Sequence, residues 1–119
     1  MDRPIILVNA DKEQSQVLCG MLEEQHYRVK PVYSLSNLNR KIQDNDCLVV
    51  LLDIDTISID NRVVRELTVK NPGVYFLAMS KHTYNPELKD AICYHIFACM
   101  NKPIDPDELF YLLRSIYEE

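Results

Sequence analysis

At 119 residues the chain has room for one domain, expected to run over 1–119, and a fold of that size buries roughly two-thirds of the surface its unfolded form exposes. The formal charge of −5, with acids and bases mixed along the chain, provides no electrostatic footprint for DNA or RNA, so direct nucleic-acid binding is not expected. No apolar stretch approaches the roughly 20 residues of a membrane helix, and Met1-Asp2-Arg3-Pro4 does not open a signal peptide; a cytoplasmic protein that does not enter membranes is expected.

Cys19, Cys47, Cys93 and Cys99 form no C-x-x-C pair, and their mostly apolar settings point to buried thiols. His26, His82 and His95 are scattered, with no carboxylate or cysteine at ligand spacing, which disfavours a zinc site.

Along the chain, apolar runs of strand length alternate with helix-period segments, the pattern of βαβ units around a parallel sheet covered on both faces. The first strand is Ile5–Val8, and the helix after it carries Val17, Leu18, Met21 and Leu22 at the spacing of a buried face. The second strand surrounds Val29 and Val32. Pro31 within it cannot donate to a ladder, which assigns this strand to an edge. A second helix is expected to begin near Ser36, a capping residue, and to bury Leu38 and Ile42.

The most informative stretch comes next. Leu48-Val49-Val50-Leu51-Leu52 is continuously apolar, as in a strand buried on both faces, and it ends on Asp53. Open α/β folds place their ligands at the carboxyl ends of such strands, so Asp53 is delivered to the functional rim. A loop through Thr56 and Ser58 leads to a helix with Val63, Val64 and Leu67 that stops at Asn71-Pro72-Gly73. The fourth strand is predicted over 74–79, and Ser80 follows it. Asn85-Pro86 opens a short helix with Leu88, Ala91 and Ile92. A fifth strand runs from Ile96 through Phe97, Ala98, Cys99 and Met100 to Asn101, ahead of Lys102-Pro103. Asp105-Pro106-Asp107-Glu108 combines a capping aspartate, a first-turn proline and a reciprocal glutamate, so a last helix starts there with Leu109, Leu112, Leu113 and Ile116 as its apolar stripe.

An Asp, a Lys and a Ser from three strand ends suit a phosphoryl group. An ionised carboxylate can be phosphorylated as a nucleophile, Lys102 supplies a compact positive charge, and Ser80 donates a hydrogen bond. Phosphoryl transfer asks little more of a protein than position and charge.

These anchors, in this order, resemble the receiver domain of two-component response regulators over almost the whole chain. The residues are Leu51-Leu52-Asp53 with Asp60-Asn61 seven further on, Ser80 after the fourth strand, and Lys102-Pro103; Asn9-Ala10-Asp11 falls where the family has its acidic cluster, and His26-Tyr27 where it has Gly-Tyr. The resemblance implies a doubly wound, flavodoxin-like (βα)5 fold with five parallel strands in the order 2-1-3-4-5. It implies that Asp53 is the phosphoacceptor, that Ser80 contacts the incoming phosphoryl group, that Lys102 is its counter-charge, and that the Lys102-Pro103 peptide is cis. A receiver is a signalling domain rather than an enzyme, at most assisting its own phosphorylation and dephosphorylation. Its partners are a histidine kinase or phosphotransfer protein and a downstream protein on the face over 86–117, with a homodimer as a further option.

The family's acid pair binds magnesium, and here it is replaced by Asn9 and Ala10. Asp53, with help from Asp11 and the backbone carbonyl of Asp55, makes a poor ligand set for an ion that wants near-octahedral oxygen coordination. Weak or absent magnesium binding and slow or absent phosphorylation are therefore expected. Cys99 stands where the family has its switching aromatic, and Ile57, Asn61 and His95 replace a proline and two glycines, so His26, Asn61 and His95 occupy positions suited to a positive φ. Asp11 has the alternative role of a helix cap, Asp55 and Asp60 the alternative of serving their loop, and Ile57 and Ile59 either pack that loop down or meet a partner. Tyr75, Tyr84, Tyr94, Tyr111 and Tyr117 are read as packing residues. The competing functional reading is a pseudo-receiver that docks a partner without phosphoryl chemistry. A flavin or nucleotide site is disfavoured because Asn9-Ala10-Asp11-Lys12-Glu13 has neither glycines nor hydroxyls to cradle phosphate.

Overall fold

The structure is a computed structural model that describes residues 3–81 and 96–118. Strands β1 (Ile5–Val8), β2 (Val29–Val32), β3 (Val49–Asp53), β4 (Tyr75–Ser80) and β5 (Ala98–Asn101) form one parallel sheet in the order β2-β1-β3-β4-β5. Helices α1 (Lys12–Glu24), α2 (Leu38–Asp44), α3 (Asn61–Lys70) and α4 (Pro106–Tyr117) cover it. The helix expected from Asn85 onward, and with it His82, Tyr84, Cys93, Tyr94 and His95, lies outside the described residues.

Side-chain alternation along the strands divides the core in two. Ile6, Val8, Val50, Leu52, Phe76 and Ala78 face α2 and α3, where they meet Leu38, Ile42, Val64 and Leu67. Ile5, Leu7, Val49, Leu51, Leu77, Met79 and Met100 face α1 and α4, where they meet Leu18, Leu22, Leu109, Leu113 and Ile116. All five residues of β3 are buried, as a central strand covered on both faces requires. At the opposite extreme, β2 lies at the edge, where Pro31 breaks no ladder on its open side.

Caps fix the helix starts. The Asp11 side chain accepts from Glu13 N and Gln14 N, Asp60 accepts from Val63 N, and Asp105 accepts from Asp107 N with Pro106 opening α4. Ser36 does not cap α2. That place belongs to Asn37, which stands in the left-handed region at φ 58 and makes no side-chain cap bond, so the entry to α2 is set by backbone conformation instead. His26 takes a positive φ of 70, as its position predicted, whereas Asn61 is helical and opens α3.

Val17 does not join the core. It is 75% exposed, while Ser15, three residues before Leu18 and on the same face of the helix, is buried. Ile57 and Ile59 pack into the core beside α3, which settles them as residues that hold their loop down. Of the described cysteines, Cys47 is buried and burial pushes its thiol up to about 11, Cys19 is half-buried, and Cys99 is exposed on β5, contrary to the reading of these thiols as interior. The last helix is tied to the first strand's approach by the Tyr117 hydroxyl, which donates to the Arg3 carbonyl at 2.8 Å.

Phe76 is the bulkiest fully buried side chain of the α2–α3 face. Phe76→Ala is expected to lower unfolding stability by about 3–5 kcal/mol, read from urea midpoints, with the far-ultraviolet signature of the fold retained in water.

Candidate functional site

The carboxyl ends of β1, β3, β4 and β5 meet on one rim, and parallel register puts their last residues side by side. Asp53 pairs with Met79 at the ends of β3 and β4, Ser80 pairs with Asn101 at the ends of β4 and β5, and Lys102 N donates to Ser80 O at 2.8 Å. Asp53, Ser80 and Lys102, predicted on separate strands, are thereby gathered within a few residues' reach of one another. The Lys102-Pro103 peptide is cis.

Asp53 is 1% exposed, and protein groups surround both of its oxygens. Oδ2 lies 2.5 Å from the Lys102 ammonium and accepts from Asn9 Nδ2 at 3.0 Å. Oδ1 accepts from Asp55 N at 3.1 Å and Thr56 N at 3.3 Å, because the chain turns tightly after β3 and points these amides back at the strand end. An ionised carboxylate withdrawn from water needs such donors, and here one cation and three N–H groups provide them.

Asn9 is held as firmly as the aspartate. Its Oδ1 accepts from Asp11 N at 2.7 Å and from the Thr56 hydroxyl at 3.2 Å, and that same hydroxyl oxygen accepts from Ala10 N. With its oxygen so engaged, Asn9 turns its amide N–H toward Asp53.

Asp55 enters the site through its side chain as well as its backbone. Oδ1 accepts from the Ser80 hydroxyl at 2.9 Å, Oδ2 accepts from Lys81 N at 2.8 Å, and Oδ2 also lies 3.3 Å from the Lys102 ammonium. Lys102 thus stands between two carboxylates. Burial works to raise the Asp55 carboxyl, but the Lys81 amide, the Ser80 hydroxyl and the charge and hydrogen bond of Lys102 outweigh it and hold the group below its ordinary 3.8.

The sequence carries no sign that Thr56 or the Lys81 amide belongs to the site, and it offers Asp55 only through its loop and its carbonyl. A loop carries no periodicity from which a side chain's direction can be read. The usable signal was the spacing itself: an aspartate two residues past a rim aspartate is close enough to share the same cation. Beside the site, a groove of about 530 Å³ runs between α1 and the segment after β5, lined by Asn9, Gln14, Val17, Met79, Lys102 and Pro103 and reaching Asp53.

The family model described as a response regulator receiver domain matches residues 5–114. The chain belongs to that family. Solved receivers share its fold at low identity. A two-component response regulator from Clostridium difficile has 18% identity and a TM-score of 0.85, with 98% of this chain and 97% of that one covered. The signal receiver domain of a DNA-binding response regulator from Colwellia psychrerythraea 34H has 18% identity and a TM-score of 0.84, covering 99% of this chain and all of that one (100%). NtrX from Brucella abortus, solved in complex with ADP, has 19% identity and a TM-score of 0.80, with 99% of this chain but 26% of the longer protein covered. Curated protein sequences gave no match. The protein is therefore a receiver domain of the two-component type, a signalling module with the order 2-1-3-4-5 that the resemblance implied. Among the described residues no helix is long and apolar enough to cross a membrane.

The family implies a magnesium ion, and the donors at this receiver's rim do not fit one. Ala10 offers no ligand atom, Asn9 directs an N–H rather than an oxygen at Asp53, and Asp11 uses its Oδ1 to cap α1. The lone pairs that a metal would share on Asp53 and Asp55 face an ammonium and backbone amides. Among the described residues no group of three His, Cys, Asp or Glu side chains is placed to hold a metal.

The lowered Asp55 pKa fixes the sign of a pH effect. Its contribution to stability is complete above the unfolded value, near the ordinary 3.8, and is lost as pH falls through the lower folded value. On acidification from neutral pH, urea midpoints of the wild type should fall more steeply than those of Asp55→Asn, the two curves drawing together at the acid end.

Proposed function

We propose that this receiver domain works in two-component signalling with Asp53 as its phosphoacceptor, and that it accepts phosphoryl groups slowly. The observation that carries the reading is the convergence of Asp53, Lys102 and Ser80 on one rim, with the ammonium 2.5 Å from the carboxylate. The donor is a histidine kinase or phosphotransfer protein, and the groove beside α1 gives the donor's phosphoryl group an approach to Asp53. In the reaction a carboxylate oxygen of Asp53 forms a bond to phosphorus as the phosphorus–nitrogen bond of the donor's phosphohistidine breaks. The leaving imidazole nitrogen keeps the electron pair. Lys102 stays beside the anion throughout and offsets the added charge, as a positioned ammonium does in other phosphoryl transfers. The domain turns over no substrate of its own beyond its own phosphorylation and dephosphorylation. The signal leaves through a protein surface, for which the face over 86–117 is the candidate, and self-association on that face is one form the output can take.

Slowness follows from the same rim. Asp53 is buried with both oxygens engaged, and the acid pair that would recruit magnesium is Asn9 and Ala10. Magnesium binding is accordingly weak or absent. These observations also favour a second reading, a pseudo-receiver that keeps the fold and docks its partner without phosphoryl chemistry.

One experiment separates the two. The protein is incubated with acetyl phosphate over a series of magnesium concentrations, and its intact mass is followed. A slow gain of one phosphoryl group in the wild type and none in Asp53→Asn supports the phosphoacceptor; no gain in the wild type at the highest magnesium sinks it in favour of the pseudo-receiver.

A further inference from the structure

Two hydrogen-bond donors and one cation, from two stretches of the rim, surround one carboxylate that belongs to neither the acceptor nor the acid cluster. The Ser80 hydroxyl at the end of β4, the Lys81 amide one residue later and the Lys102 ammonium after β5 converge on Asp55 at 2.9, 2.8 and 3.3 Å. A hydroxyl, a backbone N–H and an ammonium gathered on two oxygens form a cage for an oxyanion. Two of those three groups, Ser80 and Lys102, are the ones that the resemblance to receivers assigns to the phosphoryl group.

We propose that Asp55 is a resident anion that fills the phosphoryl-oxygen cage of its own domain, and that its carboxylate must leave this cage before a phosphoryl group on Asp53 can be bound there. The inference rests on the reading of Asp53 as phosphoacceptor. It makes Asp55 a positioning residue that sets how readily the site takes a phosphoryl group.

The charges support it. Lys102 already balances part of two carboxylates, and phosphorylation turns the single charge of Asp53 into the nearly double charge of an acyl phosphate beside Asp55, where like charges so close repel strongly. Displacement of Asp55 relieves that crowding. Asp53 and Asn9 are sealed at 1% and 2% exposure, whereas the side chains of Asp55 and Lys102 retain 16% and 15%, so of the two carboxylates Asp55 is the one that reaches water. Ser80 and Lys102 are held toward an anion before any phosphoryl group arrives, so the resident carboxylate both blocks the cage and preserves its shape.

The test compares wild type, Asp55→Asn and Asp55→Ala for labelling by acetyl phosphate at fixed magnesium, with Asp53→Asn/Asp55→Ala as the control. Asn keeps the shape and removes the charge, while Ala empties the cage. Labelling is expected to rise in the order wild type, Asn, Ala, with about a tenfold gain at Ala, the scale of one charge-assisted hydrogen bond that no longer has to be displaced, and the control should stay unlabelled. The Lys81 amide resonance gives a second readout: it should move on Asp55→Ala and move back toward its wild-type position when that variant is phosphorylated. Equal or slower labelling of both variants, with the wild type still labelled, would overturn this inference and leave the phosphoacceptor reading standing. Failure of every form to label removes the phosphoacceptor reading and this one with it. A phosphorylated Ala variant whose Lys81 amide stays put shows the cage unused, and also counts against the proposal.

Discussion

A carboxylate at the end of a strand buried on both faces cannot remain ionised there unless charge is brought to it, and the geometry of this rim follows from that requirement. The apolar run of β3 carries Asp53 into the middle of the sheet, to 1% exposure. Desolvation of such a group is expensive by several kcal/mol, and the Lys102 ammonium with three N–H donors offsets it. The order β2-β1-β3-β4-β5 makes this possible, since it sets β3 between the strand that ends beside Asn9 and the one that carries Ser80, with Lys102 one strand further along. The topology, the core and the ion pair are thus parts of one constraint.

The same constraint explains why Asn9 and Ala10 are tolerated in a receiver. A neutral amide at Asn9 donates to Asp53, and Lys102 serves as the cation that bridges Asp53 and Asp55. The rim offsets part of its own charge. Its cluster of two carboxylates and one ammonium keeps a residual negative charge, and Asp55 holds Ser80, Lys81 and Lys102 around an anion. A site built this way is pre-shaped for an oxyanion and slow to exchange the one it has.

Much of this was legible in the sequence where a residue's position decides its environment. The continuous run before Asp53 identified a central strand because both faces are covered, Pro31 identified an edge because it lacks a donor, and Asp105-Pro106 identified a helix start because it caps and fixes φ. Rim placement of Asp53, Ser80 and Lys102 followed from strand ends alone. What spacing could not resolve was direction. Val17 keeps helical register with Leu18 and Met21 but lies at the border of the stripe, and it faces the groove while Ser15 goes inside. Cys99 follows a strand pattern, yet an edge strand leaves side chains open to water. Asp55 sits in a turn, where neither the period of a helix nor that of a strand applies, and its reach to Ser80 and Lys102 emerges only when three segments are brought together in space.

Lys102 and Asp53 form one compensated unit, and a double-mutant cycle on unfolding stability measures their coupling. Lys102→Met is expected to cost about 3 kcal/mol in the wild-type background, because it strands a buried carboxylate, and far less in Asp53→Asn, where no charge is left to strand. Equal costs in the two backgrounds would show that Lys102 does not compensate Asp53.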